Sequence, residues 1–308
     1  MNDIFQNLQQ HLMNFGFKSA IVSTRHLKEL RNDTETLLKQ KSLNQDFYNE
    51  ITSRYNLHWN YEIPSKFSDA ESILIVTARQ LKVDVAFQLS NKTIHVIIPP
   101  TYLHEIDEKI LNSPLLYLKN FNHKIEHALL PEKLIAVHSG MARYGRNNIA
   151  YIDGWGSYFT ARTFFSDIPC PFENWQELQM IDRCHHCTAC IKKCPTHAVH
   201  EDRFLISGER CITFFNEKPG VFPDWIDPEW HNSLIGCMIC QDICPANKEQ
   251  SDLIVEGETF TPAETQMILD GVSRDKLPDP TIEKLKKIYM FNDYHLLQRN
   301  LGVLINKS

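Results

Sequence analysis

Cysteine placement constrains this chain more than any other feature. Of nine cysteines in 308 residues, none precedes Cys170, and eight fall between Cys184 and Cys244. An odd count cannot pair completely within one chain, and so low a fraction does not make a disulfide scaffold. Cys184, Cys187, Cys190 and Cys194, followed by Pro195, give Cys-x2-Cys-x2-Cys-x3-Cys-Pro, the bacterial ferredoxin spacing for a [4Fe–4S] cluster. Three thiolates at three-residue steps wrap three corners of a cubane, and the cysteine before proline is directed to a second cluster. Cys237, Cys240 and Cys244, ahead of Pro245, form a shortened copy that lacks one cysteine, and Cys211 is available to supply it.

The corners then close. Cluster one takes Cys184, Cys187, Cys190 and Cys244, and cluster two takes Cys194, Cys211, Cys237 and Cys240. Zinc sites would use the same four thiolates, but the x2, x2, x3-Pro spacing favours clusters. Cys170, between Pro169 and Pro171, reads as a small buried hydrophobe. His185, His186 and His197 read as surface residues or neighbours of the clusters.

Two such clusters move single electrons, and a ferredoxin needs only about 60 to 80 residues held by its metal centres. Here the first cluster motif begins only at Cys184, so the question is what the preceding chain holds for the electrons to reach. With 43% hydrophobic and 23% charged residues, a disordered or fibrous chain is excluded. The net charge of −6 and a pI near 6.2 argue against a strongly basic nucleic-acid surface. Lys192 and Lys193 read as a solvated pair. The start of the sequence, Met1 to Gln6, shows no basic region or apolar core of a secretory signal. No apolar run approaches the roughly 20 residues that cross a bilayer. A reducing, cytoplasmic setting without a membrane is the expectation, and there clustered cysteines signal metal more often than disulfides.

Periodicity predicts a helix from Ile4 to Phe15 stopped at Gly16, a strand at Ala20–Val22, and a charged helix carrying Leu27, Leu30, Leu37 and Leu38. Ser72–Thr77 reads as a buried strand, and Val83–Leu89 with Thr93–Ile98 as a hairpin. A helix is expected from Leu103 to about Asn112, ahead of Pro114, and another from Pro131 to His138. Strand pattern returns between Asn148 and Ser166. Thr261–Leu269 carries a capping-box signature, and Thr281–Leu301 reads as a further helix. Composition divides the chain into a mixed α/β domain (1–175), a cluster module (176–250) and a short helical segment (251–308), giving an α+β fold class.

The segments Cys184–Cys190, Cys194–Ala198, Cys211–Phe215 and Gly236–Asn247 resemble the epoxyqueuosine reductases. So do Gly140-Met141-Ala142-Arg143-Tyr144-Gly145-Arg146-Asn147-Asn148 and Gly156-Ser157-Tyr158-Phe159, continuing to Phe164–Asp167. The resemblance runs from about residue 70 to 250 and is densest in the cluster module. It implies a first domain of the nitroreductase and reductive-dehalogenase type that binds base-off cobalamin, next to a ferredoxin-like module with two [4Fe–4S] clusters. Gly140, Tyr144, Gly145, Arg146, Gly156 and Ser157 would line the cobalamin. An external donor of the flavodoxin or ferredoxin type would supply electrons, and the substrate would be the tRNA nucleoside or another, smaller electrophile.

Three departures stand out. The family's catalytic aspartate is replaced by Glu126, with His127 beside it, so either becomes the candidate proton donor; ordinary helix-surface residues are the alternative. The family's glycine-lysine pair becomes Gly145-Arg146. About 60 residues follow Cys244, too few for the helical-repeat domain of larger members. Two other readings stay open, a non-catalytic electron-transfer protein and a reductive activator of a corrinoid protein. Tyr102, Tyr144 and Tyr158 read as packing residues first and proton donors second.

Overall fold

A computed structural model describes residues 4–170 and 175–307, so Pro171 lies outside the described residues, as does the start of the chain at Met1 to Asp3. The helices are α1 (Ile4–Met13), α2 (Leu27–Lys39), α3 (Gln45–Arg54), α4 (Asp107–Lys119), α5 (Glu132–His138), α6 (Ala189–Lys193), α7 (Ile212–Asn216), α8 (Ile239–Asp242), α9 (Pro262–Leu269), α10 (Asp279–Lys287) and α11 (Tyr294–Asn306). The strands are β1 (Phe17–Ser23), β2 (Ser72–Arg79), β3 (Lys82–Gln88), β4 (Thr93–Ile98), β5 (Ile125–Ala128), β6 (Arg143–Tyr144), β7 (Ala150–Tyr151), β8 (Phe159–Ser166) and β9 (Ile254–Phe260). No helix among the described residues is long and apolar enough to cross a membrane. The chain divides into two compact units.

The first unit comprises residues 1–79, 105–187 and 202–206. Its sheet runs β1-β2-β8-β5, and every neighbouring pair is antiparallel. Side chains alternate across a strand, and here both faces are covered. Ile73, Ile75, Phe159, Ala161 and Phe165 meet Leu27 and Leu30 of α2 and Ile135 to Val137 of α5. Leu74, Val76, Ala78 and Phe164 meet Phe5, Leu8 and Leu12 of α1 and Ile110 and Leu118 of α4. That double burial is why β2 reads as an unbroken apolar run rather than an alternating one. Each such fully buried aliphatic side chain contributes about 1.5–3 kcal/mol. Cys170 packs beside the second of these clusters, with its sulfur 3.9 Å from the Ile21 carbonyl, and is half-buried rather than fully buried as expected.

Two expectations fail in this unit. The helix expected to end ahead of Pro114 runs through it to Lys119. Proline offers no N–H to the Ile110 carbonyl one turn back. Burial of Ile110, Pro114 and Leu118 on the sheet holds the helix on course. Glu126 and His127 are not on a helix surface: they belong to the edge strand β5, paired with β8.

The second unit comprises residues 80–104, 188–201 and 207–308. The β3–β4 hairpin is antiparallel, and β9 adds to β3 in parallel. Composition alone places this hairpin with the first 175 residues and does not reveal β9. Phe87 of β3 stacks on Phe260 of β9, with centroids 4.9 Å apart, and helices α9 to α11 bury Ile268, Leu285, Leu297 and Leu301 on the same core. The capping box at Thr261 and Glu264 is present. The helix expected from Thr281 to Leu301 is two helices, parted where Tyr289 takes a φ of +59°.

His231 gives this unit an acid limit. It is buried, and burial, followed by the Arg299 and Lys307 charges, pushes its imidazole down to about 4. The unfolded chain takes a proton near pH 6.5 that the folded chain refuses until about pH 4. Stability from this residue is therefore complete above about pH 6.5 and is lost as pH falls toward 4, by up to about 3 kcal/mol. In His231→Gln, urea unfolding should lose that slope between pH 6.5 and 4; an unchanged slope would assign the acid sensitivity elsewhere.

Candidate functional site

In the second unit the chain returns repeatedly to one cluster of sulfurs. Cys194 follows α6, Cys211 begins α7, and Cys237 and Cys240 flank the start of α8. Helices α6 and α8 are packed on each other. The Cys237 thiol is pushed up to about 12, first by burial and then by Cys211 and Cys194. Burial, and next to it Cys194, raises the Cys211 thiol as well. Three of the four expected ligands of cluster two therefore lie close enough to sense one another's charge.

Thiolates crowded this way are unfavourable until iron takes their charge, and the surroundings supply donors for that charge. The Cys237 sulfur accepts from the Ile239 backbone N–H and from Asn232 Nδ2 at 3.2 Å. The Cys211 sulfur accepts from the hydroxyl and the N–H of Thr213. Thr196 Oγ1 lies 3.5 Å from the Cys194 sulfur. This donor set fits a [4Fe–4S] cluster. Among the described residues, no three His, Cys, Asp or Glu gather tightly enough to hold a single metal ion, whereas a cubane spreads its thiolates over separate corners. Gly236, just before Cys237, has a φ of +68°, and a Cβ there would lie 2.5 Å from the Tyr102 hydroxyl. Only glycine suits that turn. Tyr102 itself is committed to Glu217, a structural role.

The cluster-one cysteines are divided between units: Cys184 and Cys187 belong to the first, Cys190 and Cys244 to the second. Cys184 is buried, and its sulfur accepts the Arg146 backbone N–H at 3.4 Å. The Arg146 guanidinium donates to the Cys184 carbonyl at 2.8 Å. His185, His186 and His197 are exposed, as are Lys192 and Lys193.

Of the residues expected at cobalamin, Gly140 lines a cavity of about 370 Å³ shared with Gln9, Lys18, Ser19, Met141 and Asp153. Its φ is +74°, and a Cβ would lie 2.6 Å from Gln176 Nε2. The cavity is at the small end for an organic ligand and does not enclose a corrin. The other five have local roles. Tyr144 meets Phe204 edge-on, and burial pushes its phenol up to about 12. Gly145 is packed against Asn147 and Tyr151. Arg146 holds Cys184. Gly156 closes a tight turn with Ile152, and Ser157 is buried just after it.

Alternation along β5 sends Glu126 and His127 to opposite faces of the sheet. Glu126 pairs with Lys66 at 2.7 Å. His127 sits edge-on to Phe164, and burial, then Arg162, lowers its imidazole. The sequence reading passed over a group of half-buried charges at the adjoining corner. Arg162 contacts Asp107 at 2.6 Å and Glu132 at 3.5 Å. Burial outweighs the neighbouring cations and pushes the Glu132 carboxyl up to about 7. Lys133 falls to about 7 for the same reason, and its ammonium donates to the Phe159 carbonyl at 2.8 Å. The adjacent Glu132 and Lys133, opening a helix after Pro131, were the available signal.

Residues 183–247 match the family model of the 4Fe-4S double cluster binding domain. The epoxyqueuosine reductase of Cyclobacterium marinum is 33% identical over 125 residues, which is 40% of this chain and 39% of that protein. Over that stretch the chain is similar to the epoxyqueuosine reductases. It spans 33–39% of the length of the first curated relatives it matches. In fold, it is similar to the solved epoxyqueuosine reductase of Streptococcus thermophilus, with a TM-score of 0.68 and 15% identity over 99% of this chain and 81% of that one. A crystal structure of epoxyqueuosine reductase with a tRNA-Tyr epoxyqueuosine-modified stem loop gives a TM-score of 0.62 at 17% identity, covering 99% and 82%.

Proposed function

We propose that the chain is an iron–sulfur reductase of the epoxyqueuosine-reductase type, taking single electrons from an external low-potential donor through two [4Fe–4S] clusters. The convergence of Cys194, Cys211 and Cys237 on one another, each with hydrogen-bond donors at its sulfur, carries this reading. Cluster one is assigned to Cys184, Cys187, Cys190 and Cys244 by the same motif. Cobalamin, when bound, supplies a strongly reducing, nucleophilic centre for an electrophilic carbon. The epoxide-bearing tRNA nucleoside is the favoured substrate, supported by the stem loop in the structural neighbour.

The chain's own contribution at the β5–α5 corner is a proton. Glu126 occupies the position of the family's aspartate, but Lys66 sits on its carboxylate. Glu132, at about 7, is about half protonated at neutral pH and is the better donor. Turnover should fall as pH rises through about 7, where that carboxyl loses its proton. Glu132→Gln should abolish turnover at full iron content, while Glu126→Gln should cost less than about tenfold. The reverse ranking would return the role to Glu126.

Anaerobically purified protein should contain about eight iron and eight sulfide per chain and should change its visible and electron-spin spectra when cobalamin is added. Unchanged spectra in the cluster-loaded protein would rule out cobalamin and leave an electron-transfer role.

A further inference from the structure

At cluster two, a sulfur contact comes from outside the ligand motif. Most of the donors around these sulfurs are local: Thr196, Thr213 and Ile239 each sit two residues beyond the cysteine they serve. Asn232 instead reaches forward five residues from outside the Cys-x2-Cys-x3-Cys run to place Nδ2 3.2 Å from the Cys237 sulfur. Its orientation is fixed on both sides. Oδ1 accepts the Met238 backbone N–H at 2.7 Å, and Nδ2 also donates to the Trp230 carbonyl at 3.1 Å. A flipped amide would put an NH2 against an N–H and an oxygen against a carbonyl, so only one orientation satisfies its neighbours. Both Nδ2 hydrogens are then assigned, one to Trp230 and one to the sulfur.

We infer that Asn232 is a positioning residue that sets the reduction potential of cluster two through its N–H···S bond to Cys237. This rests on the reading above that Cys237 is a cluster ligand. In the redox step one electron enters the cluster from a low-potential donor; all four iron–thiolate bonds remain, and no proton is required. The reduced cluster carries one more negative charge, so a donor aimed at a ligand sulfur stabilises it more than the oxidised form. The bond therefore raises the potential, and its loss lowers it.

The test is an electron-spin-monitored redox titration of the full-length, cluster-loaded protein, with dithionite as reductant. Asn232→Asp keeps the oxygen for Met238 and removes the donor; Asn232→Ala removes both. With iron and sulfide at wild-type levels, each variant should make cluster two at least about tenfold harder to reduce, about 59 mV for one electron. Cluster one is the internal reference and should keep its midpoint. Midpoints unchanged in both variants would overturn the inference. So would loss of cluster two in both, because Asn232 would then be a clasp for the loop and not an influence on the sulfur. Wild-type protein with no [4Fe–4S] signal would instead defeat the cluster reading itself, an outcome visible before any variant is made.

Discussion

Replacing Cys211 by alanine is expected to remove one cluster and leave the other, lowering iron and sulfide from about eight to about four of each per chain. The argument begins with isolation: Cys211 stands outside both cysteine runs, at the start of α7, and could be taken for a bystander on spacing alone. Its surroundings say otherwise. Its thiol is raised by burial and by Cys194, while the hydroxyl and N–H of Thr213 point at its sulfur. A cysteine that merely filled core space would have no use for two donors. Removal leaves Cys194, Cys237 and Cys240 with three corners of a cubane, and the fourth iron loses its protein ligand. Cys170→Ala is the matched control. Its sulfur lies against the Ile21 carbonyl beside an apolar cluster, and iron content should not change. Full iron in the Cys211 variant, with an unaltered electron-spin signal, would remove Cys211 from the ligand set and reopen the count.

The cluster module was legible because its chemistry is written in local spacing, and Cys211 is proposed as a ligand by completing the set. The apolar elements were legible too: β2 and the Thr261 cap carry their structure in short windows of sequence. Long-range pairing was not. Strand β9, with Gly257 and Glu256 in its middle, has a weak strand pattern and forms by adding to β3, more than 160 residues away. Likewise Ile125–Ala128 is too short to show a period, and pairing with β8 makes it a strand. On this strand the two candidate proton donors, Glu126 and His127, face apart. Glu132 was overlooked because its unusual acidity arises from burial beside Arg162, a contact no local pattern encodes.

Arg299→Ala should destabilise the second unit by about 3–5 kcal/mol, a large share of the roughly 5–15 kcal/mol that holds a domain folded. Arg299 extends from α11 into the loop after α7 and donates to four backbone carbonyls. These are Lys218 and Gly220 at 2.6 Å each, Phe215 at 2.9 Å and Asn216 at 3.3 Å. It also bonds Asn300 Oδ1, and its guanidinium lies 3.9 Å from the Phe222 ring centroid. Burial lowers its pKa to about 10, so it stays charged at neutral pH. The carbonyls it serves follow Cys211 directly along the chain, and Asn216 in turn donates to the Gly236 carbonyl, one residue before Cys237. One side chain thus braces both loops that carry cluster-two ligands. Lysine is no substitute, because a single ammonium cannot fan across four carbonyls and also stack flat on an aromatic ring. Arg299→Lys should therefore recover less than half of the loss. Urea unfolding of the cluster-loaded protein, followed by far-ultraviolet circular dichroism and by cluster absorbance, measures the effect. The cluster signal should be lost at lower urea in the alanine variant than in wild type. A loss below about 1 kcal/mol would mean that water replaces the guanidinium at these carbonyls, and that the loop is held by α7 and its cysteine alone.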